Sequence, residues 1–487
     1  MAKDNMKAIM KSELLPITHA ERSVGKRGYF SMWLGIAVII ATFALGGDGV
    51  QQIKLSWVVL ACLLANVACG FFITLTSDVA LEHGIPFPVY MRIPFGTIGA
   101  ALPTLCRGLL GCCWFGIQTY YGATAMSYII AYFTGFNNWY VCFLLFTLVQ
   151  VVNTAMGIKA IETFANLAAP CIAVISIWLF FQLSGQAADR GIDIWNSVLV
   201  GGPGGDLTTT ASVSFHVFII VFFSNMSYWS TSSADSQSLA KFAKAPQYER
   251  RWWVRNAVAV CGHMIALPIT QSFCIVIGGV SMLVAGNWNP IEVLQTTAGG
   301  SALIVLLLLI VLAQWSTNIS ANLLPPAMTF LNVFRKYLTY PKAVFIVGII
   351  SVLTFPWEIM ARLGGLLNSM SAVYAPIVGI TLVDYYVFRK RRINVPELYL
   401  VKGQYSYANG WNFAGVISMI LGAVSSFVFG LYAYGAGLIV GAICYYFLGK
   451  YWWYKKYPQA EFEDGTDDQY LGTTVGRDWI IDRIEDM

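Results

Sequence analysis

Trp114 and Gln118 stand four residues apart in one long apolar run, so on a helix they share a face. An indole offers a flat apolar plane to a ring, and a carboxamide offers a donor and an acceptor to a ring edge. A planar heterocycle with amide groups needs both. Taken alone, the pair reads equally as an interfacial tryptophan and a packing glutamine. Further along, Ser316 and Thr317 set two hydroxyls side by side, and Asn322 follows six residues after Ser316. Neighbouring oxygens of this kind suit a hard cation such as sodium, although a Ser-Thr pair in a helix also back-bonds to the preceding turn. Asn322 sits in an apolar run and must find a partner, because a buried amide left unpaired costs about 1–3 kcal/mol.

These side chains must be held by membrane helices. Of 487 residues, 57% are hydrophobic and 11% charged, whereas a soluble domain carries roughly 25% charged residues. A chain so poor in charge has lipid for its main solvent. Its apolar runs are continuous rather than alternating, which selects helices over a barrel. The pattern predicts twelve of them, at 29–50, 55–80, 97–133, 139–158, 163–184, 211–234, 256–285, 300–333, 341–356, 360–387, 413–431 and 434–454. The ten cysteines fall mostly in these runs; Cys112-Cys113 is adjacent, unlike a zinc or redox pair, and reads as helix packing.

Charge alternation supports the count. Alternate loops carry Arg92, then Lys159, then Lys241, Lys244, Arg250, Arg251 and Arg255, then Arg335, Lys336 and Lys342, then Arg389, Lys390, Arg391, Arg392 and Lys402. The opposite loops hold little beyond Lys54, Arg190 and Arg362. The positive-inside rule then places both termini in the cytoplasm of a multi-pass plasma-membrane protein. Residues 1–28 read as a basic cytoplasmic tail, 29–455 as the transmembrane domain and 456–487 as an acidic, mobile cytoplasmic tail with Glu461, Glu463, Asp464, Asp467 and Asp468. The run after residue 28 is too long for a signal-peptide core. The loop at 185–210, with Gly201-Gly202-Pro203-Gly204-Gly205, reads as a flexible connection. The net charge of +5 is explained by orientation in the bilayer and calls for no nucleic acid.

Two helices are unusual. The first holds Gly35, Thr42 and Gly46-Gly47; the sixth holds the polar row from Ser224 to Ser233. Breaks in corresponding helices, five apart, free backbone carbonyls and N–H groups for an ion and a polar ligand. The competing reading is close helix packing through small residues.

Four motifs then converge: His83-Gly84-Ile85-Pro86-Phe87-Pro88 with Arg92 and Phe95-Gly96; Trp114-Phe115-Gly116-Ile117-Gln118 with Gly122; Trp315-Ser316-Thr317-Asn318 with Asn322 and Pro325-Pro326; and Asp384-Tyr385-Tyr386 with Arg389. In this order and on these helices the chain resembles the nucleobase:cation symporter-1 family from about residue 15 to 455. The resemblance implies an all-α integral membrane fold of two inverted five-helix repeats (29–184 and 211–387), with helices one and six broken. Helices eleven and twelve (413–454) are peripheral. It implies a substrate near the midplane between helices one, three, six and eight, bound by Trp114, Gln118 and Asn322. It also implies a co-transported cation held by the carbonyls of Ile36, Ile39 and Ala313 and the hydroxyls of Ser316 and Thr317. Counting back from Asp235, the sixth helix presents Asn225, Met226 and Tyr228 to the site. Met226 stands where relatives often have an aromatic residue, and Ile40 and Gly111 replace positions that are polar in some of them, so no exact substrate is transferred.

The expected activity is import of a purine, pyrimidine, hydantoin or allantoin-like ring by alternating access, coupled to sodium or protons, with no cofactor. Membrane carboxylates (Asp48, Asp235, Glu358, Asp384) lie near helix ends and only His216 and His263 are embedded histidines, which favours sodium. A carrier of an amino acid, vitamin precursor or quaternary amine is the alternative. An enzyme is disfavoured, since HExxH, CxxC and GxSxG are all missing from the sequence, and a pore-ring signature is missing too. Arg92 reads as a loop anchor, and Arg107 as a snorkelling or paired charge.

Overall fold

A chain in lipid must satisfy its backbone polar groups internally, and the computed structural model does so almost wholly with helices. The structure describes residues 14–156, 174, 176–210, 214–246, 249–334, 336–360, 362–400 and 402–462. The start of the fifth predicted helix, Lys159, Cys171, Arg335 and the acidic residues Glu463, Asp464, Asp467 and Asp468 lie outside the described residues.

The first predicted helix is two elements, α1 (Lys26–Ala37) and α2 (Ile40–Gly49), bent by 55°. There follow α3 (Leu55–His83), α4 (Ala101–Thr134) and α5 (Trp139–Ala155), the last turning 117° from α4. Residues 176–189 form α6. The sixth predicted helix is α7 (Phe215–Tyr228) and α8 (Ser230–Ala234). Then come α9 (Ala257–Ala285), α10 (Gly300–Val333), α11 (Tyr340–Leu353), α12 (Leu363–Phe388), α13 (Phe413–Phe429) and α14 (Ala433–Leu448). These elements occupy the twelve predicted positions in order. π turns interrupt α9 at Cys261–Ala266 and α10 at Ile319–Leu323.

Both helix interruptions fall where expected, but the residues making them differ. The first lies at Val38 and Ile39, both outside the helical region (Val38 φ −90°, ψ 83°), with Ile39 extended (φ −114°, ψ 136°). Gly46-Gly47 is not the break. A Cβ on Gly46 would stand 2.0 Å from the Ile275 carbonyl oxygen, and one on Gly278 would stand 2.0 Å from that of Phe43. These glycines let α2 and α9 touch backbone to backbone. The second break is the single residue Trp229, between α7 and α8.

Two expectations are corrected. The loop at 185–210 is not a loose connection: β1 (Val198–Val200) pairs antiparallel with β2 (Asp206–Thr208), and Leu199 N–H donates to the Val50 carbonyl at 2.9 Å. Gly201, Gly202 and Gly204 make the turn at φ 92°, 83° and 84°. Nor is the C-terminal segment an appendage from residue 456 onward. Glu461 is fully buried, ion-paired to Arg389 and hydrogen-bonded by Tyr405 Oη at 2.7 Å.

The face of the bundle that carries residues 14 and 462 is called the terminal face below, and the opposite one, with β1 and β2, the hairpin face. On the terminal face Val24 bridges Ala243, Arg22 donates to the Leu81 carbonyl at 2.7 Å, and Tyr399 Oη donates to the Leu14 carbonyl at 2.7 Å. The segment before α1 is therefore a strap across that face. Arg92 is buried and donates to the Leu398 carbonyl (2.7 Å) and Asn332 Oδ1 (2.6 Å), so it does anchor loops.

Candidate substrate and ion site

α4 carries Trp114 and Gln118 one turn apart, both buried, on a helix packed against α10. Trp114 meets the ring of Tyr228 from α7 edge-on, with centroids 5.1 Å apart and planes at 63°. Its Nε1–H points to the Met370 sulfur of α12 at 3.0 Å. The indole is thus held by the two elements that flank it. Gln118 accepts a hydrogen bond from Thr317 Oγ1 of α10 at 2.7 Å, and its Nε2 is buried with no partner among the described residues. Trp114, Gln118, Tyr228 and Thr317 therefore form one connected cluster.

Asn322 is placed differently. The π turn at Ile319–Leu323 adds a residue to one helical turn, and such turns frequently sit at functional sites. Asn322 Nδ2 donates to Asn318 Oδ1 at 3.1 Å. Asn318 in turn reaches the Phe115 carbonyl (3.0 Å), Thr119 Oγ1 (2.9 Å) and Gln150 Oε1 (3.0 Å). Asn322 is so tied to α4 and α5 through a buried amide chain that sequence spacing gave no means of finding.

Two sixth-helix expectations change. Asn225 has both ends of its amide engaged away from Trp114. It donates to Asn66 Oδ1 of α3 at 2.6 Å and accepts from Gln271 Nε2 of α9 at 2.8 Å. Gln271 also takes the indole N–H of Trp229. This is an interhelical network, and its members are fully or almost fully buried. Met226 is buried two residues before Tyr228, hence about 200° away round the helix. The α7 side chain against Trp114 is Tyr228, and a single helix cannot turn both towards the same ring.

The proposed cation oxygens lie where α1 ends against α10. A Cβ on Gly35 would stand 3.8 Å from Ser316 Oγ and 3.9 Å from Thr317 Cγ2. The break at Val38 and Ile39 removes the N–H donors that would otherwise cap the last carbonyls of α1, Ile36 among them. The Ile39 carbonyl is a correction. It accepts both the N–H of Thr42 (2.8 Å) and its hydroxyl (2.6 Å), which occupies both lone pairs. Ala313 lines a cavity of about 30 Å³ together with Val38, Ile40 and Gln314. That is room for roughly one water-sized particle. Gln314 Oε1 is buried without a partner among the described residues.

Access is unequal. A cavity of about 390 Å³ opens towards the hairpin face, lined by Ala44, Asp48, Trp288, Met360, Arg362 and Leu363. Towards the terminal face lie buried ion pairs. Arg107 meets Asp235, and Arg255 meets both Asp78 and Glu82. Rings also continue from the site: Tyr228 to Trp229 (5.5 Å), Trp229 to Trp33 of α1 (6.2 Å), and Trp33 to His263 of α9 (4.4 Å). His263 Nε2 lies 2.9 Å from Tyr29 Oη and its Nδ1 3.1 Å from Thr74 Oγ1. Thr74 already donates to the Gly70 carbonyl at 2.7 Å, so His263 Nδ1 is the donor in its contact with Thr74.

The chain and its fold are similar to known proteins. Residues 16–452 match the family model described as permease for cytosine/purines, uracil, thiamine and allantoin. A hydantoin permease of Microbacterium maritypicum is 28% identical over 476 residues, covering 96% of this chain and 94% of that one. Among solved structures, the fold is similar to that of Mhp1, a nucleobase-cation-symport-1 family transporter, closed with bromovinylhydantoin bound. The TM-score is 0.85 at 25% identity, over 97% of this chain and all of that one (100%). The inward-facing conformation of Mhp1 is similar with a TM-score of 0.81 at 25% identity, over 97% of each chain.

Proposed function

This chain belongs to the nucleobase:cation symporter-1 family of permeases, and on that premise we propose that it imports a small planar heterocycle by cation-coupled alternating access. It is a transporter and not an enzyme. The observation that carries the ring reading is the buried pair on α4. Trp114 supplies an aromatic plane, and Gln118 supplies an amide whose nitrogen has no partner among the described residues. Stacking on the indole contributes about 0.5–1.5 kcal/mol beyond area burial, and the amide gives direction within the ring plane. Asn322 is proposed as a further amide contact, and Tyr228 as the aromatic neighbour in place of Met226.

The coupling ion is proposed to be sodium. Ser316, Thr317 and the freed end of α1 gather neutral oxygens at the helix break, and His263, the embedded alternative, is engaged on both ring nitrogens. Ile36 and Ala313 complete the proposed oxygen set. Sodium held between α1 and α10 favours the state that binds substrate, through its differential affinity for the two states. Both termini are assigned to the cytoplasm from the charge bias, which makes the terminal face the cytoplasmic one.

Uptake of hydantoin, allantoin and uracil into proteoliposomes, under an imposed sodium or proton gradient, tests the reading. Sodium-driven uptake of at least one ring, reduced more than tenfold in Trp114→Ala, is expected. Absence of gradient-driven uptake for all three, or uptake indifferent to Trp114→Ala, would sink it.

A further inference from the structure

We propose that Thr317 and Gln118 form a single hydrogen-bond relay through which the bound cation orients the substrate amide, so that the transported ring must present a hydrogen-bond acceptor to Gln118 Nε2. The inference rests on the function proposed above and adds to it a polarity for the substrate edge and a route for coupling.

A threonine hydroxyl has one hydrogen. Both oxygens within reach of Thr317 Oγ1 are acceptors: Gln118 Oε1 at 2.7 Å and the Gln314 carbonyl at 3.2 Å. The hydrogen therefore belongs to the shorter contact, and the oxygen lone pairs are left for something electropositive. Beside Thr317 lies Ser316, whose Oγ faces Gly35 near the end of α1, where the Thr317 methyl also packs. The Gly35 carbonyl takes the Val38 N–H, and the carbonyls after it, Ile36 among them, are the ones the break leaves for the proposed cation. A cation on the Thr317 lone pairs draws electron density from the hydroxyl. It makes the O–H a stronger donor, as in other charge-assisted hydrogen bonds.

Gln118 is placed with Oε1 towards Thr317. With Oε1 held by Thr317, the planar amide aims Nε2 away from α10, and that nitrogen is buried and unpartnered among the described residues. A buried N–H without an acceptor is costly, and the ligand is what removes the cost. The matching edge is a carbonyl oxygen or an unprotonated ring nitrogen, coplanar with a ring that lies on Trp114. An ammonium head or a ring with only donors does not satisfy it. Reciprocity follows from linkage: whatever factor sodium adds to ring affinity, the ring adds to sodium affinity.

The test separates relay from simple ion ligation. Binding of hydantoin, allantoin and uracil to the purified full-length protein is measured by titration, in sodium chloride and in choline chloride of equal ionic strength. In choline no ion ligation is at stake. Thr317→Val, which keeps shape and loses the hydroxyl, should still weaken ring binding threefold or more there, while Thr317→Ser should stay within twofold of wild type, since a neutral hydrogen bond is worth about 2- to 10-fold. In sodium, wild type should gain about 5-fold or more in ring affinity. Gln118→Leu should lose that gain, and the Thr317→Val/Gln118→Leu double variant should be no worse than the weaker single variant. Unliganded melting curves identify any variant that fails to fold. Thr317→Val with unchanged ring affinity in choline, or losses that multiply in the double variant, would overturn the relay. If wild type binds none of the three rings, the proposed function falls with it. If wild type binds in a sodium-dependent way that Trp114→Ala abolishes, yet the Thr317 variants behave as ion ligands only, the relay alone falls.

Discussion

Arg107 of α4 and Asp235, just past α8, meet at 2.9 Å with both side chains buried. Arg107 lies seven residues before Trp114, about 10 Å along the helix, and its second guanidinium arm reaches the Ala321 carbonyl at 3.1 Å. One side chain thus joins α4, α10 and the end of the sixth helix on the terminal side of the ring site. Breaking a buried pair by removing one partner costs about 3–5 kcal/mol, because the other charge is left uncompensated. Asp235→Asn and Arg107→Gln should each lower the melting temperature. They should also raise the labelling rate of single cysteines introduced between the ring site and the terminal face, on the terminal side of residue 321. Unchanged labelling would show that the pair is structural and does not hold that face shut.

Tyr228→Phe should move stability and binding in opposite directions. The hydroxyl is buried and unpartnered among the described residues, so its removal relieves a cost of about 1–3 kcal/mol in the unliganded protein. The ring edge against Trp114 is retained. If the ring substrate is the partner of that hydroxyl, affinity should fall about three- to tenfold while the unliganded melting temperature rises. Paired melting and binding curves decide it; a loss in both would assign the hydroxyl a structural partner.

Asn225→Ala should damage the fold more than the selectivity. It strands Asn66 and Gln271, each buried, and loosens Trp229 through Gln271. A fall of about 1–3 kcal/mol in stability, with the rank order of hydantoin, allantoin and uracil unchanged in competition binding, is the expected result. Reversal of that rank order would return Asn225 to the substrate site.

Glu461→Ala should destabilise the transporter although it lies close to the end of the described chain. It removes a fully buried partner of Arg389, whose guanidinium also meets Asp384 at 2.9 Å and sits 5.3 Å from the Tyr405 ring. A cost of about 3–5 kcal/mol follows if Arg389 is left with one carboxylate fewer. Thermal melting in detergent checks it, with Glu461→Gln, which keeps the contacts and loses the charge, as the milder case.

The helices were legible because lipid imposes a simple rule. Apolar stretches had to be long and continuous, and basic loops had to alternate, so α10 is found at 300–333 as read. The breaks were legible as belonging to the first and sixth helices, but their residues were not. Val38 and Ile39 carry no local breaking signal, and the neighbouring glycines that do carry one serve close packing instead: Gly46 against α9, Gly47 against Trp288 and Gly35 against α10. Trp114 and Gln118 could be read because their spacing is local and their chemistry is specific. Asn225, Met226 and the Ile39 carbonyl could not, because their fates depend on Asn66, Gln271 and Thr42 and on a helical phase in which one residue is worth about 100°. Thr317 was readable as an oxygen ligand, yet its hydrogen bond to Gln118 joins residues 199 positions apart and leaves no trace in spacing.

The strap before α1 has a kinetic consequence. Val24 N–H donates to the Phe242 carbonyl at 3.0 Å, and Lys244 N–H to that of Val24 at 2.8 Å, so the segment is hydrogen-bonded like a strand to the loop after the sixth helix. With Arg22 on the α3 carbonyls and Leu14 under Tyr399, it cannot slide; it must peel. Parting of the two repeats on that face is then a local unfolding step, drawn from the same free energy that hydrogen exchange reports. Turnover limited by that step would inherit the steep temperature dependence of unfolding, about 3–6-fold per 10 °C. Amide exchange at Val24 and Lys244 should rise and fall with the transport cycle.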